Sequence, residues 1–267
     1  MEAKELIKYF KSLGIEIHTT TKARGHHGFF LKNRIDISKN LPEYKKVPTL
    51  IHEFAHYVHS KIEPDMPKTG GSLEVLFKTS NPLIKTELLK VTNFVDENSL
   101  CKKLEYHKNL VKEKIKEQEN IIKRDYPKFM RSKRFKEFEK YIKKSDAKYL
   151  LKYDRIKLIL GFWRKDSRIY TIDTIENDFP DMPEAFAAYI RLKSYQKKQA
   201  RISAKINKSK KYYARPTELF ARFVEGLYLD KEYAKKLAPT SAQIFNELLD
   251  KGYYKDLATL CRTYLHI

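Results

Sequence analysis

Residues 49–59 read TLIHEFAHYVH, which sets His52, Glu53 and His56 in an H-E-x-x-H arrangement. Residues four apart on a helix share a face, with Cβ atoms roughly 5–6 Å apart. Two imidazole nitrogens so placed can converge on one Zn²⁺ at about 2.0–2.1 Å each. Glu53 projects beside the first histidine, where it can take a proton from a water on the ion without itself ligating the metal. That is the chemistry of peptide-bond hydrolysis, and this spacing is its sequence signature. A match of three fixed positions arises by chance roughly once or twice in a hundred chains of this length. The context here is specific: Phe54 and Ala55 are uncharged, the flanks are apolar, no proline interrupts, and strands precede the helix. The competing reading is a core helix whose histidines bond to backbone carbonyls. Tyr57 and His59 are expected to be packing and surface residues.

Catalytic zinc needs three protein ligands and one open position. Position 59 is not glycine and position 62 is isoleucine, so no third histidine follows at the extended spacing, and a distant carboxylate must serve. ARPTELFARFVEGLYL offers Glu218. Pro216 suits a helix start, and Leu219, Phe220, Phe223, Val224 and Leu227 form a broad apolar face with Glu218, Arg222 and Glu225 along its edge. A carboxylate among so many apolar residues needs a partner, and a metal is a good one. The rival is Glu184, which likewise follows a proline in DMPEAFAAYIRL; if neither serves, Glu97 is the next residue to test. Tyr212 and Tyr213 are candidate oxyanion partners, and His26 and His27 could line an edge to which a peptide adds as a strand, or simply make a turn.

These residues need elements to hold them. Leu6, Ile7, Phe10 and Leu13 predict a helix over 2–12 ended by Gly14. GIEIHTT and HGFFLKNRIDIS read as short strands, the second broken at Lys32–Asn33, and Pro48 is placed in the first turn of the histidine helix. PDMPKTGGSLEVLFKTSNP reads as a turn-rich, mobile loop. From about 83 to 158 the chain is rich in lysine and glutamate, with Pro127 as its main breaker and an irregular stripe of Leu104, Val111, Ile115 and Ile122; it reads as a solvated helical insertion. A strand pair at 159–173 follows, then helices from Pro183, from Pro216 and from about Ser241. The expected fold is α+β and mostly helical: a core over 1–82, a basic helical insertion over 83–180, and a helical part over 181–267 that completes the metal site.

The formal charge of +21 is large for 267 residues and predicts non-specific affinity for nucleic acid, although lysine is spread over many segments. Cys101 and Cys261 are too few for a disulfide framework. With no signal peptide at the start and no run approaching the apolar length of a membrane span, a cytoplasmic protein without membrane partners is expected. There is no glycine-rich phosphate loop and no G-x-S-x-G.

HGFFLKNRIDIS followed by TLIHEFAHYVH resembles the strand and zinc-helix core of gluzincin-type zincin metallopeptidases, the ImmA/IrrE-like group among them. PTELFARFVE is similar to the Pro-x-Glu-x-Phe-Ala-Arg helix of metallopeptidase-like domains in large polyvalent proteins of phages and mobile elements. The resemblance implies a zinc-dependent protease acting on a protein or peptide substrate, with His52, His56 and Glu218 as ligands of Zn²⁺ and Glu53 as catalytic base. The alternative is a nucleic-acid-associated protein of a mobile element whose zinc site is structural or vestigial. The 162 positions between His56 and Glu218 require an insertion that leaves the two helices in contact.

Overall fold

The computed structural model describes residues 3–20, 27–96, 100–159 and 167–265. The described residues are 71% helical with small sheets, an α+β architecture. It forms two compact units, Met1–Glu97 with Lys210–Ile267, and Asn98–Ser209.

In the first unit α1 (Ala3–Ser12) ends at Gly14, whose φ of +77° takes the left-handed turn that a side chain resists. Strands β1 (Glu16–Thr20), β2 (Gly28–Leu31) and β3 (Arg34–Ser38) form a sheet in the order β1-β3-β2. β3 is central, parallel to β1 and antiparallel to β2, and the turn at Lys32 makes the expected break. The histidine helix, α2 (Glu43–Ile62), begins after Pro42, earlier than expected, and carries Pro48 inside it. Pro48 removes one intrahelical donor. Burial of Leu50, Ile51, Phe54, Ala55 and Val58 offsets that loss, each large apolar side chain contributing about 1.5–3 kcal/mol. Phe54 stacks on Phe10 of α1 with ring centroids 4.3 Å apart.

The segment expected as a turn-rich loop instead contains α3 (Met66–Thr69) and α4 (Leu73–Phe77). Gly70 and Gly71 have positive φ, Ser72 caps α4 by accepting from the Val75 amide, and Leu76 and Phe77 are buried. Then comes α5 (Leu83–Val95), whose buried residues include Ile84, Leu88 and Val91.

The second unit contains α6 (Leu100–Asp125), a 3-10 turn Phe129–Arg131, α7 (Lys133–Lys144), a 3-10 segment Asp146–Leu151, the antiparallel hairpin β4 (Arg155–Ile159) and β5 (Ser167–Thr171), α8 (Ile175–Asp178) and most of α9 (Glu184–Tyr213). It is not simply a solvated excursion. Val111 and Ile115 of the expected stripe join a buried cluster with Phe129, Phe138, Phe186, Tyr189 and Ile190, to which Leu104 and Ile122 are peripheral. The Phe138 ring lies 5.2 Å from that of Phe186 and 5.0 Å from that of Tyr189, within the range of favourable edge-to-face packing.

The first unit resumes with α10 (Pro216–Leu229), α11 (Lys231–Leu237), α12 (Pro239–Asp250), α13 (Lys255–Leu260) and a closing π-helical turn Cys261–Leu265. α10 packs on α2 and on α5, and α5 also meets α12. Thus α5, expected in the insertion, belongs with the histidine helix, and 181–209, expected with the third ligand, belongs to the second unit. Glu87 shows why α5 stays. Its carboxylate accepts from the Ser241 amide and hydroxyl, both at 2.7 Å, and from the Thr240 amide at 3.2 Å, satisfying donors at the start of α12. Among the described residues no helix is long and apolar enough to cross a membrane.

Burial alone would raise the Glu87 carboxyl, but the Ser241 and Thr240 donors hold it below the ordinary carboxylate range. A depressed folded-state value stabilises fully above the ordinary value and is lost as pH falls through the folded one. Glu87→Gln is therefore expected to lower unfolding free energy by about 1–3 kcal/mol at neutral pH. In denaturant titrations the gap from the parent should narrow as pH falls below about 4; a gap constant with pH would contradict the carboxylate's role.

Candidate metal centre

The centre is built where α2 crosses α10. On α2, the apolar side that holds it in the core leaves His52, Glu53 and His56 together, and His52 and Glu53 are only 8% and 5% exposed. On α10, residues 218, 222 and 225 fall on one helical face, opposite the imidazoles; Glu218 is 5% exposed. Glycine at position 28 lets β2 lie against this part of α2. A Cβ there would stand 2.8 Å from Thr49 Cγ2 and 3.2 Å from Glu53 Cγ.

His52 Nε2 and His56 Nε2 are 3.2 Å apart. Glu218 Oε2 is 3.6 Å from the first, and Glu218 Oε1 is 3.4 Å from the second. One ligand atom from each of the three residues lies within 4.8 Å of the others. Donors on a tetrahedral ion at about 2.0–2.1 Å are separated by about 3.3–3.4 Å, which the two imidazole nitrogens match, while each of them approaches a different oxygen of the Glu218 carboxylate. Two imidazoles and a carboxylate are also a donor set suited to zinc.

The surrounding groups orient the ligands. Glu225 Oε2 is 3.0 Å from His52 Nδ1, and because an ionised carboxylate only accepts, Nδ1–H must donate. That fixes the tautomer and leaves the Nε2 lone pair of neutral His52 toward the centre. Arg222 Nη1 donates to the same Glu225 oxygen at 2.9 Å, while Nη2 pairs with Asp96 Oδ1 at 3.2 Å. Four carboxylates, Glu53, Glu218, Glu225 and Asp96, thus gather around one guanidinium. The balance favours an added cation.

The ionisation shifts follow from this crowding. Burial opposes a charge on His52, but Glu218 and Glu225 outweigh it and push the imidazole up to about 10. Burial would raise Glu218, yet His52 and His56 hold it well below the usual carboxylate range. A proton on His52 and a metal ion are alternative answers to the same two carboxylates. For Glu53 burial dominates, and its carboxyl is raised despite the nearby imidazoles. Partial burial also raises Tyr212, reinforced by the charges of Glu218 and Glu53.

The structure therefore brings His52, Glu53, His56, Glu218 and Tyr212 into one neighbourhood. Tyr213 instead packs under Arg222, whose guanidinium lies 5.6 Å from its ring centre. Glu184 is exposed in the second unit and accepts from the Tyr126 hydroxyl at 2.8 Å, so it is not gathered with the histidines. Glu97 and His26 lie outside the described residues, and His27 is exposed. His59, expected at the surface, is fully buried. Its Nε2 meets Glu63 Oε2 at 3.1 Å, Glu63 accepts from the Ser72 amide at 2.9 Å, and a Cβ on Gly71 would collide with its ring. Asp96 was not singled out from the sequence, and Glu225 only as part of a polar edge; the i, i+4, i+7 spacing of Glu218, Arg222 and Glu225 on an apolar helix was the available signal. The chain was compared with protein-family models, curated proteins and solved structures, and it matches none of them.

Removing a ligand should leave too few donors to hold zinc, whereas removing an orienting carboxylate should weaken it by about 10–100-fold. Under competition with a micromolar chelator, His52→Ala, His56→Ala and Glu218→Ala should lose the metal, Glu225→Ala should hold it more weakly, and Glu184→Ala should match the parent. Loss from Glu184→Ala with retention in Glu218→Ala would reverse the ligand assignment.

Proposed function

We propose that the chain is a zinc-dependent metallopeptidase of zincin type. The observation that carries this reading is the convergence of His52 Nε2, His56 Nε2 and the Glu218 carboxylate, one ligand atom from each lying within 4.8 Å of the others, with Glu53 beside them. A closed structural zinc site takes four protein ligands. Among the described residues the group found has three, which favours an open position and hence catalysis over a purely structural site.

When bound, zinc supplies Lewis-acid polarisation and a water of lowered pKa. His52, His56 and Glu218 hold it. Glu225, steadied by Arg222, keeps His52 in the ligating tautomer. Glu53 acts as general base, taking a proton during attack on the peptide carbonyl and returning it to the departing amine. Its burial favours the protonated carboxyl more than water would, which suits a group that must both take and give a proton. The Tyr212 hydroxyl, kept protonated beside the Glu218 and Glu53 carboxylates, is the candidate donor to a developing oxyanion. β2, bordering Glu53 at Gly28, is an outer strand of its sheet, and an extended peptide could pair along it.

Glu53→Gln removes the base while keeping size and leaving all three ligands. Zinc content should stay at about one ion per chain, while cleavage of a proteome-derived peptide library, read by mass spectrometry, falls by about 100-fold or more. Cleavage at the parental rate by Glu53→Gln, or no cleavage by the zinc-loaded parent, would overturn the proposal.

A further inference from the structure

The basic excess is unevenly placed. Asn98–Ser209 holds 30 of the chain's 55 Lys and Arg but only 15 of its 34 Asp and Glu. Within it the bias sharpens along α9: from 185 to 217 the sequence contains ten Lys and Arg and no acidic residue. Such a stretch lacks the i, i+4 acid–base pairs that stabilise an ordinary solvated helix, and its repulsions weaken the helix.

The cations are also arranged. Lys197, Arg201, Lys205 and Lys208 are all exposed and follow spacings of four, four and three, so they form one stripe about 16 Å long. Among the described residues Lys197, Lys205 and Lys208 have no ion pair. The acid that approaches this part of α9, Asp154, is taken by Lys198, off the stripe, at 2.6 Å. Beside the stripe stand aromatic rings. Arg201 donates to the Lys152 carbonyl and lies 5.2 Å over the Tyr153 ring, which is still 50% exposed. One turn upstream Tyr149 is 42% exposed, with the Lys148 ammonium 5.1 Å from its ring centre.

We propose that this face of the second unit binds single-stranded nucleic acid, with backbone phosphates along Lys197, Arg201, Lys205 and Lys208 and bases stacked on Tyr153 and Tyr149. An acidic polypeptide would be served by the lysines alone. Half-exposed tyrosines set among cations are the feature that suits unpaired bases, each of which presents a flat π face. The surface lies within one compact unit, and the inference is independent of the metal centre.

The test uses the full chain and a fluorescein-labelled oligothymidylate of about 20 nucleotides, followed by anisotropy over a salt series. The triple variant Lys197→Glu, Lys205→Glu, Lys208→Glu should bind at least about tenfold more weakly and flatten the log–log salt slope by about two, as expected for three lost phosphate contacts on a single strand. The control, Lys236→Glu, Lys251→Glu, Lys255→Glu, changes net charge equally at exposed sites of the other unit and should stay within about twofold of the parent. Tyr149→Ala with Tyr153→Ala should cost about tenfold at unchanged net charge, with circular dichroism matching the parent. Equal losses in the two lysine triples would reduce the effect to bulk charge and overturn the proposal. So would undiminished binding by the tyrosine variant, tighter binding of a duplex of the same length, or displacement by polyglutamate at equal charge, which would mark an acidic-polypeptide surface.

Discussion

His52 sits between two carboxylates on the same helix, and this constraint governs the rest of the first unit. Glu218 faces one ring nitrogen and Glu225 the other, so α10 must lie against α2 in a single register. Burying these charges is costly, and removing one member of such a network costs about 3–5 kcal/mol, a large share of the about 5–15 kcal/mol by which a domain is stable. The compensation is apolar. Leu219, Phe220, Phe223, Val224 and Leu227 of α10 are all buried, and Phe220 and Phe223 meet Phe77 and Phe245 edge-on. The aromatic packing holds the helix in place, and the polar edge then has no freedom to turn away from the histidines.

A long separation between the ligands in sequence is compatible with this geometry. Closing a loop becomes only slowly more costly as the loop lengthens, and Asn98–Ser209 closes its own hydrophobic cluster, so the intervening chain is folded, not a slack connection. α5 on one side and α10 on the other return the chain to the same core. Glu87 of α5, accepting from donors at the start of α12, and Asp96, beside Arg222, tie the end of that first passage to the elements of the second.

Much of the site was legible because its parts obey helical spacing. His52 and His56 are one turn apart, and the Pro216 helix shows a broad apolar face with an acidic residue at its start. What spacing could not do was separate Glu218 from Glu184, since both follow a proline and precede a Phe-Ala pattern; the difference lies in which helix packs on α2. The unit boundaries were missed for a related reason. Lys85, Glu87 and Lys90 of α5 look in sequence like the beginning of the charged stretch, but only the lysines face outward, while Ile84, Glu87, Leu88 and Val91 are buried and bind the helix to the histidine core. His59 was misjudged because a polar residue near a helix end reads as exposed, whereas Glu63 and the close approach of Gly71 make it a buried strut. The short helices at 66–77 were hidden by the glycine pair between them.

The central claim is that one zinc ion is held by His52, His56 and Glu218. X-ray absorption at the zinc edge, on protein purified without a polyhistidine tag and loaded with one equivalent of zinc, tests it most directly. The account predicts a first shell of nitrogen and oxygen at about 2.0–2.1 Å, with the multiple-scattering signature of two imidazoles. A shell containing sulfur at about 2.3 Å, or one without imidazole scattering, would contradict it.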